Sequence, residues 1–192
     1  MKSLLGILLG VSMALPAAAL GDDQVGADEL AQRLRVKIRT VQHMALNPLL
    51  VGAVREQNQE GLDLNEIKTR DEEWKNADGL TRRMRELMST PAARLLRDTV
   101  ADGSTFTEAF LTDDQGANVA VFPPTSDYWQ GDEEKWTASW AGGEGAVFIG
   151  PLEHDSSTNK FAVQVSAPVK DGAKTIGVLV VGVSVDYVET HE

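Results

Sequence analysis

The hydrophobic pattern changes its period halfway along the chain, and this change restricts the fold more than any other feature. Up to about residue 103 the apolar residues recur at helical spacing, whereas beyond it they alternate or form short runs, as in strands. The longest strand-like segments, Lys160 to Val169 and Thr175 to Val185, are joined by a short turn that contains Asp171-Gly172. The second half therefore predicts an antiparallel sheet that begins only after the helices end.

The first half predicts five helices, most of them with a local start signal. Asn47-Pro48 and Thr90-Pro91 each place a capping residue before a proline, and Asp63 lies three residues before Glu66, as in a capping box. The first helix has one apolar face and precedes Asn47. The others are expected at Pro48 to about Gln59, Asp63 to about Lys75, Leu80 to Met88, and Pro91 to about Gly103.

The second half predicts five antiparallel strands with a long insertion after the second. The first two strands, Phe106 to Leu111 and Asn118 to Phe122, flank a turn that ends at Gly116, and a third covers Ala146 to Gly150. A short helix is expected over Glu133 to Trp140. Helices followed by such a sheet predict an α+β fold with the helices packed on a roughly five-stranded antiparallel sheet. We assign a single domain, 20–192, with a helical segment at 20–103 and the sheet with its loop at 104–192.

The N-terminus has the three parts of a secretory signal peptide. Lys2 supplies a basic end, Leu4 to Leu15 forms an apolar run, and Ala17-Ala18-Ala19 gives a small-residue cleavage site. The apolar run is short for a membrane span. We expect export to the periplasm with cleavage near Ala19, and an uncleaved N-terminal membrane anchor is the alternative.

Composition and motifs exclude several functions. The chain has no cysteine, so disulfides, thiol catalysis and zinc–thiolate sites are excluded. Its formal net charge of −11 repels nucleic acid and anionic membranes, so no nucleic-acid partner is expected. No G-x-S-x-G, H-E-x-x-H or phosphate-loop motif occurs, and the three histidines do not form a recognisable metal set. We therefore predict no catalytic residue, no metal, no cofactor and no enzymatic activity.

The segment Asp127 to Trp140 concentrates large aromatic and charged residues, and it contains three of the four tryptophans. Tyr128, Trp129 and Trp136 suggest an aromatic cage, with Asp132 or Asp155 as the source of negative charge. Such a cage suits an ammonium group or a methylated amine. The alternative is that the rings cover the sheet while the charges face water or begin the short helix.

A second ligand hypothesis uses charge pairing and leaves the cage aside. Lys135 would bind a ligand carboxylate while Asp155 accepts an amino group, so that an amino acid satisfies both. Gln164 lies in the middle of a strand on a side that would face the pocket. The alternatives are a structural ion pair for Lys135, an ordinary turn position for Asp155 and a solvated sheet position for Gln164.

The order of motifs in the second half resembles the Cache domain, the extracellular PAS-like sensor also called PDC. The similarity rests on the D-x-x-G turn that ends at Gly116, the D-Y-W box that begins at Asp127, the downstream Asp155, and the hairpin Gln164 to Leu179. It extends over nearly all of the chain after the signal peptide. The resemblance implies small metabolites, such as amino acids, amines or organic acids, bound between the sheet and the loop that crosses it.

The resemblance also implies roles for individual residues. In the amino-acid-binding branch of the family a tyrosine, an arginine, a tryptophan and an aspartate contact the ligand. Tyr128, Trp136 and Asp155 fill three of these places by resemblance. Glu134 stands near the position of the arginine, so the guanidinium fork that would hold a carboxylate is absent there.

The sequence thus predicts a periplasmic sensor module that binds an amine or an amino acid. We expect it to act through a separate membrane-bound signalling protein. The alternative is a structural or interaction protein of the same fold without a small ligand. A homodimer formed through the first helix, which carries Arg33 and Lys37, is compatible with both.

Overall fold

The computed structural model of the protein describes residues 32, 34–101, 105–155 and 160–185. The proposed signal peptide and Arg33 lie outside the described residues. Over the ranges that are described, no helix has the length and apolar character needed to cross a membrane.

Five helices precede the sheet among the described residues, and three of them begin at the predicted capping residues. The side chain of Asp63 accepts hydrogen bonds from the backbone N–H groups of Asn65 and Glu66, which begins a helix at Leu64. The Asn47 and Thr90 side chains cap the helices that start at Pro48 and Pro91 in the same way. The helices are α1 (34–45 in the described part), α2 (Pro48–Glu60), α3 (Leu64–Lys75), α4 (Arg82–Leu87) and α5 (Pro91–Val100).

The second half forms one five-stranded antiparallel sheet, which confirms the α+β fold. The spatial order is β2-β1-β5-β4-β3, so β4 and β5 lie in the interior and β3 at an edge. The strands are β1 (Phe106–Thr112), β2 (Asn118–Phe122), β3 (Phe148–Asp155), β4 (Lys160–Asp171) and β5 (Lys174–Ser184), with the helix α6 (Glu134–Trp140) before β3. The strand β3 continues past the predicted end at Gly150 because it keeps pairing with β4 as far as Asp155.

The two faces of the sheet have separate cores, as strand alternation requires. One face packs against α1, α2 and α5 and buries Leu111, Val165 and Val181. The opposite face buries Phe110, Val178 and Val180 beneath α3, α4 and the insertion 123–147. We call this second side the loop face, because the aromatic segment crosses it.

The insertion contacts the sheet at two places. Trp129 forms an isolated antiparallel bridge with Ala117 next to β2. Further along, α6 packs over β4 and β5. These contacts place the charged and aromatic residues of the insertion directly above the loop face.

Candidate ligand-binding site

Asp71 on α3 fixes the start of the aromatic segment. Its carboxylate accepts the backbone N–H groups of Tyr128 at 2.9 Å and Trp129 at 3.0 Å. The residue is only 5% exposed, and Lys75 forms an ion pair with its other oxygen at 2.7 Å. Because buried N–H groups require an acceptor, this carboxylate determines the backbone path of the segment.

The side chains of Tyr128 and Trp129 have different neighbours. The Tyr128 ring is 2% exposed and lies 5.9 Å from the Trp74 ring, and burial raises the pKa of its hydroxyl above the ordinary value. The indole N–H of Trp129 donates to the backbone oxygen of Gln115 at 2.8 Å, and the Lys68 ammonium lies 5.0 Å from the Trp129 ring. Protein groups therefore already cover one face of each ring.

Trp136 is a core residue of the loop face. It is 7% exposed, and its indole N–H donates to the Thr112 hydroxyl at 3.1 Å. Its ring stacks on Trp140 with a centroid distance of 5.4 Å. Across the described part of the chain, no ring contact joins Tyr128, Trp129 and Trp136 to one another. The structure therefore does not bring the three rings together.

The charged residues before and within α6 differ in their burial. Asp132 is exposed in a turn, and Glu134 is exposed in the first turn of the helix. Glu133 occupies the N-cap position without a capping bond and pairs instead with Lys135 at 2.7 Å. The Lys135 side chain is only 17% exposed, and its ammonium lies 5.5 Å from the centre of the Phe110 ring. Lys135 therefore combines the predicted ion pair with a position over the loop face.

Gln164 lies on the loop face and is bonded to a residue that the sequence analysis did not select. Its side-chain amide donates to the Glu108 carboxylate at 2.7 Å, across Gly182 of the strand between them. Both side chains are half-buried. A Cβ on Gly182 would lie 2.9 Å from the Glu108 Cγ, so the glycine leaves room for this pair.

Glu108 could have been found from the strand alternation alone. Residues 108 and 110 point to the same face of β1, and Phe110 is buried in the loop-face core. A carboxylate two residues from a buried phenylalanine is the signal.

Three remaining observations concern Ser166, Asp155 and possible metal ligands. Ser166 on β4 lies two residues from Gln164, and its hydroxyl is buried with no hydrogen-bond partner among the described residues. Asp155 ends β3, and its side chain lies outside the described part of the structure. In the same described ranges, no group of His, Asp and Glu residues is arranged to hold a metal ion.

No protein-family model matches the chain, and no curated protein matches it. The structure is similar to the ligand-binding domain of the amino acid chemoreceptor PctC of Pseudomonas aeruginosa in complex with GABA. The TM-score is 0.52 at 13% identity, over 89% of this chain and 62% of that domain. It is also similar to the sensor domain of the histidine kinase DctB of V. cholerae, with a TM-score of 0.47 at 14% identity, over 91% of this chain and 60% of that domain. The chain therefore spans about three fifths of the length of these two domains.

Proposed function

Since the chain has the fold of a Cache, or PDC, sensor domain, we propose that it is a periplasmic sensor module that binds an amino acid or a related amine. One observation carries the proposal. The Lys135 ammonium lies over the Phe110 ring, and the Glu108 carboxylate projects from the same face of β1 two residues away. Opposite charges at adjacent positions on one face suit a small zwitterion.

Lys135 supplies the positive end of the site. Its ammonium is largely shielded from water, which strengthens its attraction for an anion relative to that of an exposed lysine. Glu133 is its present partner and is more exposed. A ligand carboxylate would compete with Glu133 for the ammonium. The displaced Glu133 carboxylate would be hydrated, because it is the more exposed of the two partners.

Glu108 and Gln164 supply the negative end. The Glu108 carboxylate has a second oxygen that can accept from a ligand ammonium, and the Gln164 amide holds the carboxylate in place. The buried Ser166 hydroxyl, two residues further along β4, is available for another ligand polar group. In this proposal Glu108 takes the role that the sequence reasoning gave to Asp155.

The spacing favours an amino acid over an ammonium in an aromatic cage. Residues two apart in a strand are separated by about 7 Å, so the groups over Phe110 and at Glu108 can contact the two ends of one small molecule. The rings of the postulated cage face separate partners. Trp136 then forms a wall of the site through its packing, without enclosing a cation.

The proposal also includes a signalling role. The similar domain of PctC belongs to an amino acid chemoreceptor. A module of this fold would report its bound state by contact with a separate membrane-bound protein in the cell envelope. Ligand-dependent co-purification with a membrane protein tests that step independently of ligand binding.

The first test is a thermal-shift screen against amino acids, amines and polyamines, followed by calorimetry. A ligand at a hundred times its dissociation constant should raise the free energy of unfolding by about 2.7 kcal/mol, a shift of several degrees. Lys135→Gln and Glu108→Gln should each weaken the binding of an amino acid about tenfold or more, because each removes a charged hydrogen bond. Lys174→Gln and Glu153→Gln make the same charge changes at exposed positions and should not.

Two results would count against the proposal. If both site variants bind as the wild type does, the ligand lies elsewhere. If no compound in the screen shifts the melting temperature, a structural or interaction protein without a small ligand becomes the favoured interpretation. Light scattering after size exclusion would then test for a homodimer.

A further inference from the structure

A cavity lies in the cleft between α3 and α4, and its lining includes none of Lys135, Glu108 and Gln164. Its volume is about 430 Å³, which falls within the range of about 300–1,000 Å³ typical of small-molecule sites. The indole of Trp74 forms part of its wall. The charged lining residues are Arg70 and Glu73 from α3 and Arg82, Arg83 and Glu86 from α4.

The charge of this cleft is opposite to that of the protein. Three guanidinium groups and two carboxylates line it, whereas the whole chain has a formal net charge of −11. Arg82 is paired with Glu86 at 2.7 Å, but that pair is highly exposed and therefore weakly held. Arg83, in contrast, forms no ion pair with any carboxylate in the described ranges.

Arg70 and Arg83 approach the same residue from different sides. The guanidinium carbon of Arg83 lies 5.8 Å from the centre of the Tyr128 ring. Burial raises the pKa of the Tyr128 hydroxyl, and the Arg70 guanidinium opposes that rise. Arg70 is also paired with Glu66, and its side chain is only 18% exposed. Tyr128 is itself buried, and its backbone N–H is bonded to Asp71, so the ring beneath Arg83 has a fixed position.

We propose that this cleft is a second ligand site, which binds a small organic anion through carboxylate or phosphate oxygens. Arg83 provides an unpaired guanidinium fork, which binds such oxygens in a bidentate manner. Arg70 provides a second, largely buried cation, and Trp74 provides an apolar wall. The bound anion would be a free metabolite and not a polyanion, because the acidic surface of the protein repels nucleic acid and anionic membranes.

The position of Tyr128 connects this second site to the first. An anion that draws Arg83 away from the Tyr128 ring changes the packing of the residue that begins the aromatic segment. The same segment carries Lys135 to the loop face. The cleft is therefore placed to modulate the loop-face site, although the binding of the anion itself does not depend on the proposed sensor function.

Isothermal titration of the exported protein with citrate, and separately with inorganic phosphate, tests the proposal and distinguishes the two kinds of oxyanion. We expect saturable binding of at least one of them, weakened by added salt. Arg83→Gln should lower its affinity about tenfold or more, and Arg83→Lys should give an intermediate loss, because an ammonium lacks the bidentate fork. Arg97→Gln, at an exposed position on α5, is the matched control for net charge.

A fluorescence readout guards against misfolded variants. Anion binding should change the emission of the tryptophans around Tyr128 in the wild type and not in Arg83→Gln, while both proteins keep the same melting temperature without ligand. The proposal is overturned if neither anion binds at millimolar concentration, or if Arg83→Gln binds as tightly as the wild type. An equal loss in Arg97→Gln would also overturn it, since net charge would then explain the effect.

The two sites can fail independently. Lys135→Gln and Glu108→Gln should leave citrate and phosphate affinity unchanged, because neither residue lines the cleft. If all three variants weakened binding of the same compound to the same extent, there would be one site, and the second site would be rejected.

Discussion

The carboxylate of Asp71 accepts the backbone N–H of Tyr128 at 2.9 Å, and these two residues lie 57 positions apart in the sequence. The bond joins the last turns of α3 to the beginning of the aromatic segment. Trp74, three residues after Asp71, adds a bond from its indole N–H to the Thr125 backbone oxygen at 2.8 Å. The helix α3 and the segment therefore behave as one unit, to which both candidate sites are attached.

Removal of the Asp71 carboxylate should destabilise this unit. Asp71→Ala leaves the N–H groups of Tyr128 and Trp129 without an acceptor, and we expect the free energy of unfolding to fall by about 2–4 kcal/mol. Asp71→Asn keeps the accepting oxygen and loses only the ion pair with Lys75, so it should cost about 1 kcal/mol. Urea denaturation measures both values, and equal losses in the two variants would show that the backbone bonds are not the cause.

Trp136 should be more important for stability than for ligand contact. Trp136→Phe keeps an aromatic ring on Trp140 and loses the bond to Thr112, so we expect a loss of about 1–2 kcal/mol. Trp136→Ala also empties the space beneath α6 and should cost about 3–5 kcal/mol. Thermal and urea unfolding test this order. A Trp136→Ala protein of wild-type stability would contradict the core position of the ring.

The contact between Gly116 and Gly131 should tolerate no side chain. A Cβ on Gly131 would lie 2.3 Å from the Trp129 indole nitrogen and 2.5 Å from the Gln115 oxygen, the two atoms that are hydrogen-bonded there. Gly131→Ala should therefore break that bond and lower stability by about 1–3 kcal/mol.

A matched glycine provides the control. No atom lies within 4 Å of a Cβ built on Gly52, in the middle of α2, so Gly52→Ala should raise stability by about 0.5–1 kcal/mol. Melting temperatures of the two variants should move in opposite directions. A common direction of change would mean that crowding at Gly131 is not the determining factor.

Asp113 should make stability depend on pH in a specific direction. Burial raises the pKa of its carboxyl above the ordinary value of 3.8, although hydrogen bonds from Gln57 and two backbone N–H groups oppose the rise. The native chain therefore keeps this proton to a higher pH than the unfolded chain. The stability that results is fully present below the unfolded pKa and is lost as the pH rises through the native pKa.

The corresponding measurement is the free energy of unfolding between pH 4 and 7. Asp113→Asn cannot titrate, so the decline with pH should be shallower in the variant than in the wild type. The amide also disturbs the contact with Gln57, which shifts the whole curve without changing its slope. Parallel curves for the two proteins would contradict the raised pKa.

Most elements could be predicted because their signals are local. The capping residues Asn47, Asp63 and Thr90 start their helices where the sequence indicates, and the Asp171-Gly172 turn joins β4 to β5. Each signal depends on a few neighbouring residues, whose hydrogen bonds close within one turn. Only the ends of the elements moved, as at β3, where pairing with β4 extends the strand.

The candidate sites could not be predicted to the same degree. Residue type and position indicate Gln164 and Lys135, and strand alternation indicates the face of Glu108. The bond between Glu108 and Gln164, however, follows only from the alignment of β1, β5 and β4 across Gly182. Arg83 and Arg70 belong to different helices, and nothing in the sequence indicates that both meet Tyr128. Such contacts depend on the packing of distant segments.

The sequence by itself determined the element order, the antiparallel hairpin and the two-sided alternation of the strands, since these follow from local backbone preference and from the period of the apolar residues. Only the tertiary structure decided which polar groups share a surface. The register of β1 against β5 places Glu108 beside Gln164, and the packing of α4 places the Arg83 guanidinium over the Tyr128 ring. The partner of such a side chain belongs to a segment far away in the sequence, and the two meet because burial of the apolar core packs those segments together.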